Sequence, residues 1–322
     1  MKEIPHIKFA VDETPYCFWA LNPYTQSLEF LNKLDPGYFE HIANIHSQFL
    51  EGDEKQYAAA ALRIAYSQGL ETLFALLCAT AQANDCIIGW FLKYTNRDLF
   101  NVVRKISSWE PIYTKLPTKN VTWEYLSNLI FSGLKSGDEE KDVHIIQSFA
   151  RLWERLAGEF LDEKLGHEYN SIKHGLRARM GGFFFAIGPP GASVPPDQMQ
   201  VVANSTFGSS FFIPIRLHDS RNFSVIHQGI NWHPNRYTCA LRIISISINN
   251  IIASLKRSYG IPADELKYSL FSEDSTYEDF LENLGGATSL SFNQPFSEKA
   301  ITPLTKADIL SVYNKEDAIE TE

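Results

Sequence analysis

The 322 residues, 44% of them apolar, suffice to bury a core in one large domain or two modest ones, with the composition of an ordinary soluble globular protein. Four scattered cysteines (Cys17, Cys78, Cys86, Cys239) with no CxxC pair argue against a zinc ribbon or a disulfide scaffold and fit a reducing cytosol. The net charge of -9 argues against a dedicated nucleic-acid coat protein, although it is unevenly placed: thirteen Asp/Glu and four Lys fall between Ala263 and Glu322, leaving the first 262 residues about neutral.

In chain order, the N-terminal MKEIPHIKFAVDETP lacks the apolar core of a signal peptide. Residues 1–34 read as an irregular arm with extended pieces, punctuated by Pro5, Pro15 and Pro23 and tacked down by aromatic residues. Asp35-Pro36 is an N-cap followed by a first-turn proline, predicting a helix to about Leu50. A long Ala-rich helix follows over Lys55 to Gln82, with Leu62, Ala65, Leu73, Leu76 and Leu77 at helical period. Glu71 stands in its apolar half, either as a solvated position or as a partly buried acid set against a base elsewhere.

Shorter helices are predicted over Cys86 to Lys93, Thr95 to Ile106 (opened by a Thr95/Asp98 cap) and Thr122 to Leu134. One long helical run is then expected from Glu139 to Arg179, which Gly158 and Gly166 bend without ending. Beyond it, β-branched and aromatic runs separated by Gly, Pro, Asn and Ser predict three or four antiparallel strands up to about Asn231. Helical period returns from Tyr237 to Tyr259, where Ser and Asn interrupt the longest apolar run, Ile243 to Ile252. No membrane span is expected, and the cytoplasm is the expected location. An acidic tail closes the chain, with an ordered piece at TYEDFLENL and fraying over its last fifteen or so residues.

The expected fold class is therefore mainly α (α+β): a helical bundle with a small antiparallel β insertion between two of its helices. Its parts are an arm over 1–34, a helical domain over 35–262 with the insertion at about 181–232, and a tail over 263–322.

The densest set of reactive side chains is EKLGHEYNSIKHGLRAR, Glu163 to Arg179. On a helix, Glu163, His167, Asn170, His174 and Arg177 form one stripe within roughly 80° of arc, opposite Leu165, Tyr169, Ile172 and Leu176. One reading is a solvated face with a Glu163–His167 pair. A metal site of Glu163, His167 and His174 is a second, but seven residues set the histidines roughly 10 Å apart along the helix, too far for one ion. The third is a phosphodiester-handling site. In it His174 is the general acid/base, Asn170 orients it, and Lys173 and Arg177 hold phosphate charge.

Arg179, His167 and Glu71 complete the candidate set. No acid occurs between Tyr169 and Pro196, so Lys173, Arg177 and Arg179 form a local basic stretch. Ser205–Ser210 lacks a P-loop lysine, and Gly188-Pro189-Pro190-Gly191 reads as a rigid turn. His218, Asp219, His227 and His233 form a weaker candidate for metal or acid/base work in the strand region. No cofactor is expected.

Tyr169-Asn170-Ser171-Ile172-Lys173-His174-Gly175 resembles the terminal-helix motif of the HEPN superfamily. Members are helical bundles, often dimeric, whose ribonucleases carry an arginine, a polar residue, three further residues and a histidine. Asn170 and His174 match; Tyr169 stands where the arginine would be. The resemblance covers about residues 55 to 180 and the helix near 237 to 259. It implies a homodimer that binds RNA or a protein partner. With Tyr169 in place, it implies a non-catalytic module; the alternative is a metal-independent endoribonuclease of the kind used in bacterial toxin and phage-defence systems, with His174 as acid/base and Lys173 or Arg177 supplying the missing charge.

Overall fold

The computed structural model describes residues 6–20, 22–114, 120–134, 137–174, 177–182, 184–187, 195, 199–216, 223–271, 289–296 and 305–311. The chain is mainly α with a small antiparallel sheet, and it divides into two compact units. The first comprises Met1–Asn170 and Trp232–Gly286, the second Ser171–Asn231 and Ala287–Glu322.

The first unit opens with a hairpin, β1 (Ile7–Val11) paired with β2 (Thr14–Phe18), where an irregular arm was expected. Asp12 takes the left-handed conformation (φ 51°) that a two-residue hairpin requires and Asp tolerates. Lys105 Nζ fastens this turn to the helices, donating to Asp12 Oδ1 (2.6 Å), Glu13 Oε1 (3.1 Å) and the Ile112 carbonyl (3.0 Å). The arm also contains a helix, α1 (Pro23–Lys33), with Asn22 accepting from the Thr25 amide and Pro23 in its first turn. Helix α2 (Tyr38–Ser47) is shorter than expected at both ends.

Helix α3 (Lys55–Ala83) is the axis of this unit. Ala, Leu and Phe side chains are buried around its whole circumference, as in a helix with neighbours on every side. One neighbour is α9 (Pro234–Ser258), and a Cβ at Gly69 would lie 3.2 Å from Ile244 Cδ1, so glycine sets how closely the two can approach. Among the described helices only α9 is long and apolar enough to cross a membrane, and 72% of that apolar stretch is buried inside the protein, as for a core helix.

Helices α4 (Ile87–Phe91), α5 (Asn96–Ser107) and α6 (Trp123–Phe131) fall where the sequence placed them. The Thr95/Asp98 capping box is present in both directions, and Thr122 caps α6.

The expected single run from Glu139 to Arg179 is instead two helices, α7 (Glu139–Phe160) and α8 (Glu163–Lys173). Asp162 makes the break: its Oδ1 accepts from the amides of Lys164 (2.8 Å) and Leu165 (3.3 Å), starting a new helix there. Because α8 stops at Lys173, Arg177 and Arg179 are not on it.

In the second unit β3 (Ala178–Met180), β6 (Gly208–Arg216), β7 (Phe223–Asn231) and β8 (Ser289–Phe296) form an antiparallel sheet in the order β3-β6-β7-β8. A separate ribbon pairs β4 (Phe184–Ile187) with β5 (Gln200–Asn204) through a bulge. Edge strand β8 comes from the segment expected to be an acidic tail, and it pairs along β7 from Ile230↔Ser289 to Phe223↔Phe296. A short helical segment follows at 306–311. TYEDFLENL, Gly188–Gly191, His218 and Asp219, and the chain beyond residue 311, lie outside the described residues.

Candidate functional site: a cavity beside buried ion pairs

The buried face of α8 includes Leu165, Glu168, Tyr169 and Ile172, spaced as one helical stripe, and Glu168 is a carboxylate with no solvent exposure. Such burial requires partners. Arg63, on α3, donates Nε to Glu168 Oε2 (2.8 Å) and places Nη2 2.7 Å from the same oxygen. Trp232 donates its indole N–H to Glu168 Oε1 (2.7 Å). Arg63 Nη1 continues to Ser67 Oγ (2.8 Å), one helical turn on.

A second pair lies beside the first. Glu159, near the end of α7, accepts from Tyr66 (2.7 Å) and from Arg236 on α9. Tyr66 and Tyr237 stack at 5.2 Å, and the Arg63 guanidinium lies 5.9 and 5.6 Å from their centroids. Two arginines, two glutamates and two tyrosines thus tie α3, α7, α8 and α9 together. Burial alone would lower the Arg63 pKa, but Glu168 and the neighbouring rings carry it above its ordinary value, so it stays charged. His233, the residue just before α9, is pulled below its ordinary pKa by burial and by Arg236.

A cavity of 160 Å³ opens against this network, with Arg63, Glu71, Glu159, Glu163, Tyr169 and Asn170 in its wall. Tyr169 donates its hydroxyl to Glu71 Oε2 (3.2 Å). Half-burial, and then the nearby Glu71 charge, push the Tyr169 phenol up to about 12, so it is neutral at physiological pH. Asp162 also lines the cavity, giving four carboxyl side chains against one guanidinium. The space is acidic.

The structure thus brings Glu71 and Asn170 together with Tyr169, and Glu71 is a partnered half-buried acid, not a solvated one. His167 is exposed on α8. Lys173, His174, Arg177 and Arg179 are exposed and belong to the second unit. Among the described residues no group of three His, Cys, Asp or Glu could hold a metal ion. His227 stacks on Phe212 in the sheet, whereas His233 is in the helical unit.

Sequence reasoning missed Arg63 and Glu168, the best-buried charges of the site. The signal was there. Glu168 interrupts an apolar stripe of α8, and Arg63 sits between Leu62 and Ala65 on the most apolar helix; opposite charges on two apolar stripes mark a buried pair.

The tyrosines give this core an alkaline limit. Burial raises the pKa of Tyr66 (helped by Glu159), Tyr169 and Tyr237 above that of an unfolded tyrosine, roughly 10. The unfolded chain releases these protons first, so stability is full below about pH 10 and falls as pH rises through the folded values, with the Tyr169 share lost towards 12. Melting temperature followed from pH 9 to 11.5 should fall, and Tyr237→Phe should flatten the fall. The part of the phenolate absorbance at 295 nm that Tyr237→Phe removes should appear together with unfolding; its development in the intact fold would contradict this.

Comparison of the chain with protein-family models, with curated proteins and with solved structures finds no match to any of them.

Proposed function

We propose that the helical unit is a HEPN-like, non-catalytic module that acts by docking, as a cytoplasmic homodimer or with a protein partner, at the cavity beside α8. The observation that carries this is Tyr169. It holds the position of the family's arginine, and its neutral hydroxyl is bonded to Glu71, so no guanidinium stands there to hold a scissile phosphate. The acidic wall repels a phosphate backbone and favours a basic side chain, which points to protein over RNA at this place. None of the four cysteines is in a disulfide and two are buried, consistent with a reducing compartment.

The second reading is a metal-independent endoribonuclease of the conflict-system type. It is favoured by the exposure of Asn170, Lys173 and His174, which leaves all three accessible to substrate. Incubating the protein with mixed RNA beside His174→Ala separates the two. The docking reading expects no cleavage by either protein. Cleavage by the parent that His174→Ala abolishes would replace it with the nuclease. Sedimentation at rising concentration should show self-association or, with a partner, capture, weakened by charge reversal at Glu163→Lys.

A further inference from the structure

The four-stranded sheet has unequal faces. On one, Ala178, Ser209, Phe211, Gln228 and Ile230 are buried. On the other, Phe212 is 58% exposed and stacks on His227, its cross-strand partner, with centroids 4.8 Å apart and planes 26° from parallel. An open sheet face ordinarily carries polar side chains, so an exposed phenylalanine stacked on a half-buried histidine at its centre calls for a partner.

The register brings a cation to the same face, and a second stands beside it. Arg179 pairs with Ser210, two residues from Phe212, and Ser210 in turn pairs with Gly229. Arg177 lies one residue before the paired strand, its amide donating to the Ser171 carbonyl (2.8 Å). Both arginines are exposed. Side chains alternate along strands and directly paired residues share a face, so Arg179, Phe212 and His227 belong to one surface, and the exposed Arg177 stands next to it at the start of β3. Between the arginines and the rings the floor is Ser210 and Gly229, low enough for a flat group to reach the rings. The segment from Ser171 to Asn231 holds five Lys/Arg against two Asp/Glu, and the rest of the second unit, Ala287 to Glu322, three against six.

We infer that this face binds single-stranded RNA. A base would stack on the Phe212–His227 pair while Arg177 and Arg179 neutralise the adjoining phosphates, and the Ser210 hydroxyl is placed to meet a ribose 2′-OH. Paired bases cannot reach the rings, so a duplex is excluded. Every residue named on this surface belongs to the second unit, so the inference stands or falls apart from the docking role proposed for the helical unit.

Fluorescence anisotropy of labelled 12-nucleotide U and A strands with the full chain tests it, beside the same strands as DNA and as RNA duplex. The single RNA strands should bind most tightly. Phe212→Ala should weaken them roughly 5- to 150-fold, the span of one base–aromatic stack. Arg177→Ala with Arg179→Ala should flatten the slope of log K against log salt by about 1.4, from two lost phosphate contacts. Because Phe212 is exposed, its variant should keep the parent's melting curve; if it does not, His227→Ala takes its place with the same expected direction. No binding of single strands, equal or tighter binding of duplex or DNA, or unchanged affinity in the variants would each overturn the inference. So would a Phe212→Ala protein altered only in self-association, which would make the face an interface between copies.

Discussion

Replacing Glu168 with alanine is expected to destabilise the protein by about 3–5 kcal/mol, the cost of leaving a buried charge unpaired. Arg63 is 2% exposed and has Glu168 as its one carboxylate partner among the described residues, and the Trp232 indole N–H would lose its acceptor in the same stroke. At about 2–4 °C per kcal/mol for a unit of this size, the melting temperature should fall on the order of 10 °C, readable by calorimetry or circular dichroism. The double variant Arg63→Met with Glu168→Leu separates burial of charge from loss of packing. It removes both charges and leaves apolar groups of similar volume, so it should recover most of the lost stability. A double variant as unstable as Glu168→Ala would show that the ion pair is not what the single substitution disturbs.

Trp153→Ala should cost a similar amount, about 3–5 kcal/mol, by a different mechanism. Trp153 is fully buried on α7, lies 5.8 Å from the Phe149 ring, and donates its indole N–H to Ser247 on α9 (3.2 Å). Alanine removes the ring and leaves both a cavity and a buried hydroxyl without its donor. Trp153→Phe loses the hydrogen bond and a smaller part of the packing, so it should cost less than alanine, about 1–2 kcal/mol. Chemical denaturation should rank parent, Phe and Ala in that order, with similar slopes against denaturant. An alanine variant as stable as the phenylalanine one would mean that the core closes over the missing ring.

Local chemistry made most of the helical unit legible. The Thr95/Asp98 and Thr122 caps, the Ala-rich run of α3 and the apolar period of α9 each carry their own signal, and each element stands close to where it was expected. Where two signals competed, the reading failed. Asn22-Pro23 is a helix start, yet within a proline-punctuated arm it read as a break. Asp162 lies inside an unbroken apolar period, so nothing local distinguished a new cap from a solvated residue.

SLSFNQPF was read only as part of the acidic tail; its Pro295 is tolerated in a strand because β8 is the last strand of its sheet. The candidate site shows the same division. Glu71 and Asn170, which stand in the cavity wall, were picked out from the sequence, and His174, picked out with them, is not among its lining residues. The partnership of Arg63 with Glu168 was not visible there, because it joins helices 105 residues apart in sequence. Arg177 and Arg179 were singled out as cations on a helix. They lie instead at the start of the sheet, so the same charges serve a different surface.

The position of β8 also sets a clock. Some 60 residues, including α9, separate the end of β7 from the start of its partner. During synthesis at ~5–20 residues per second, β7 emerges roughly 3–12 seconds before β8 exists. Throughout that interval one edge of the sheet has no strand to cover it, and such an edge recruits whatever strand it meets first, including that of another nascent chain. A chain interrupted shortly before residue 289 would hold that state indefinitely. Ribosome stalling there, more than any single substitution in the sheet, is expected to send this protein into aggregates.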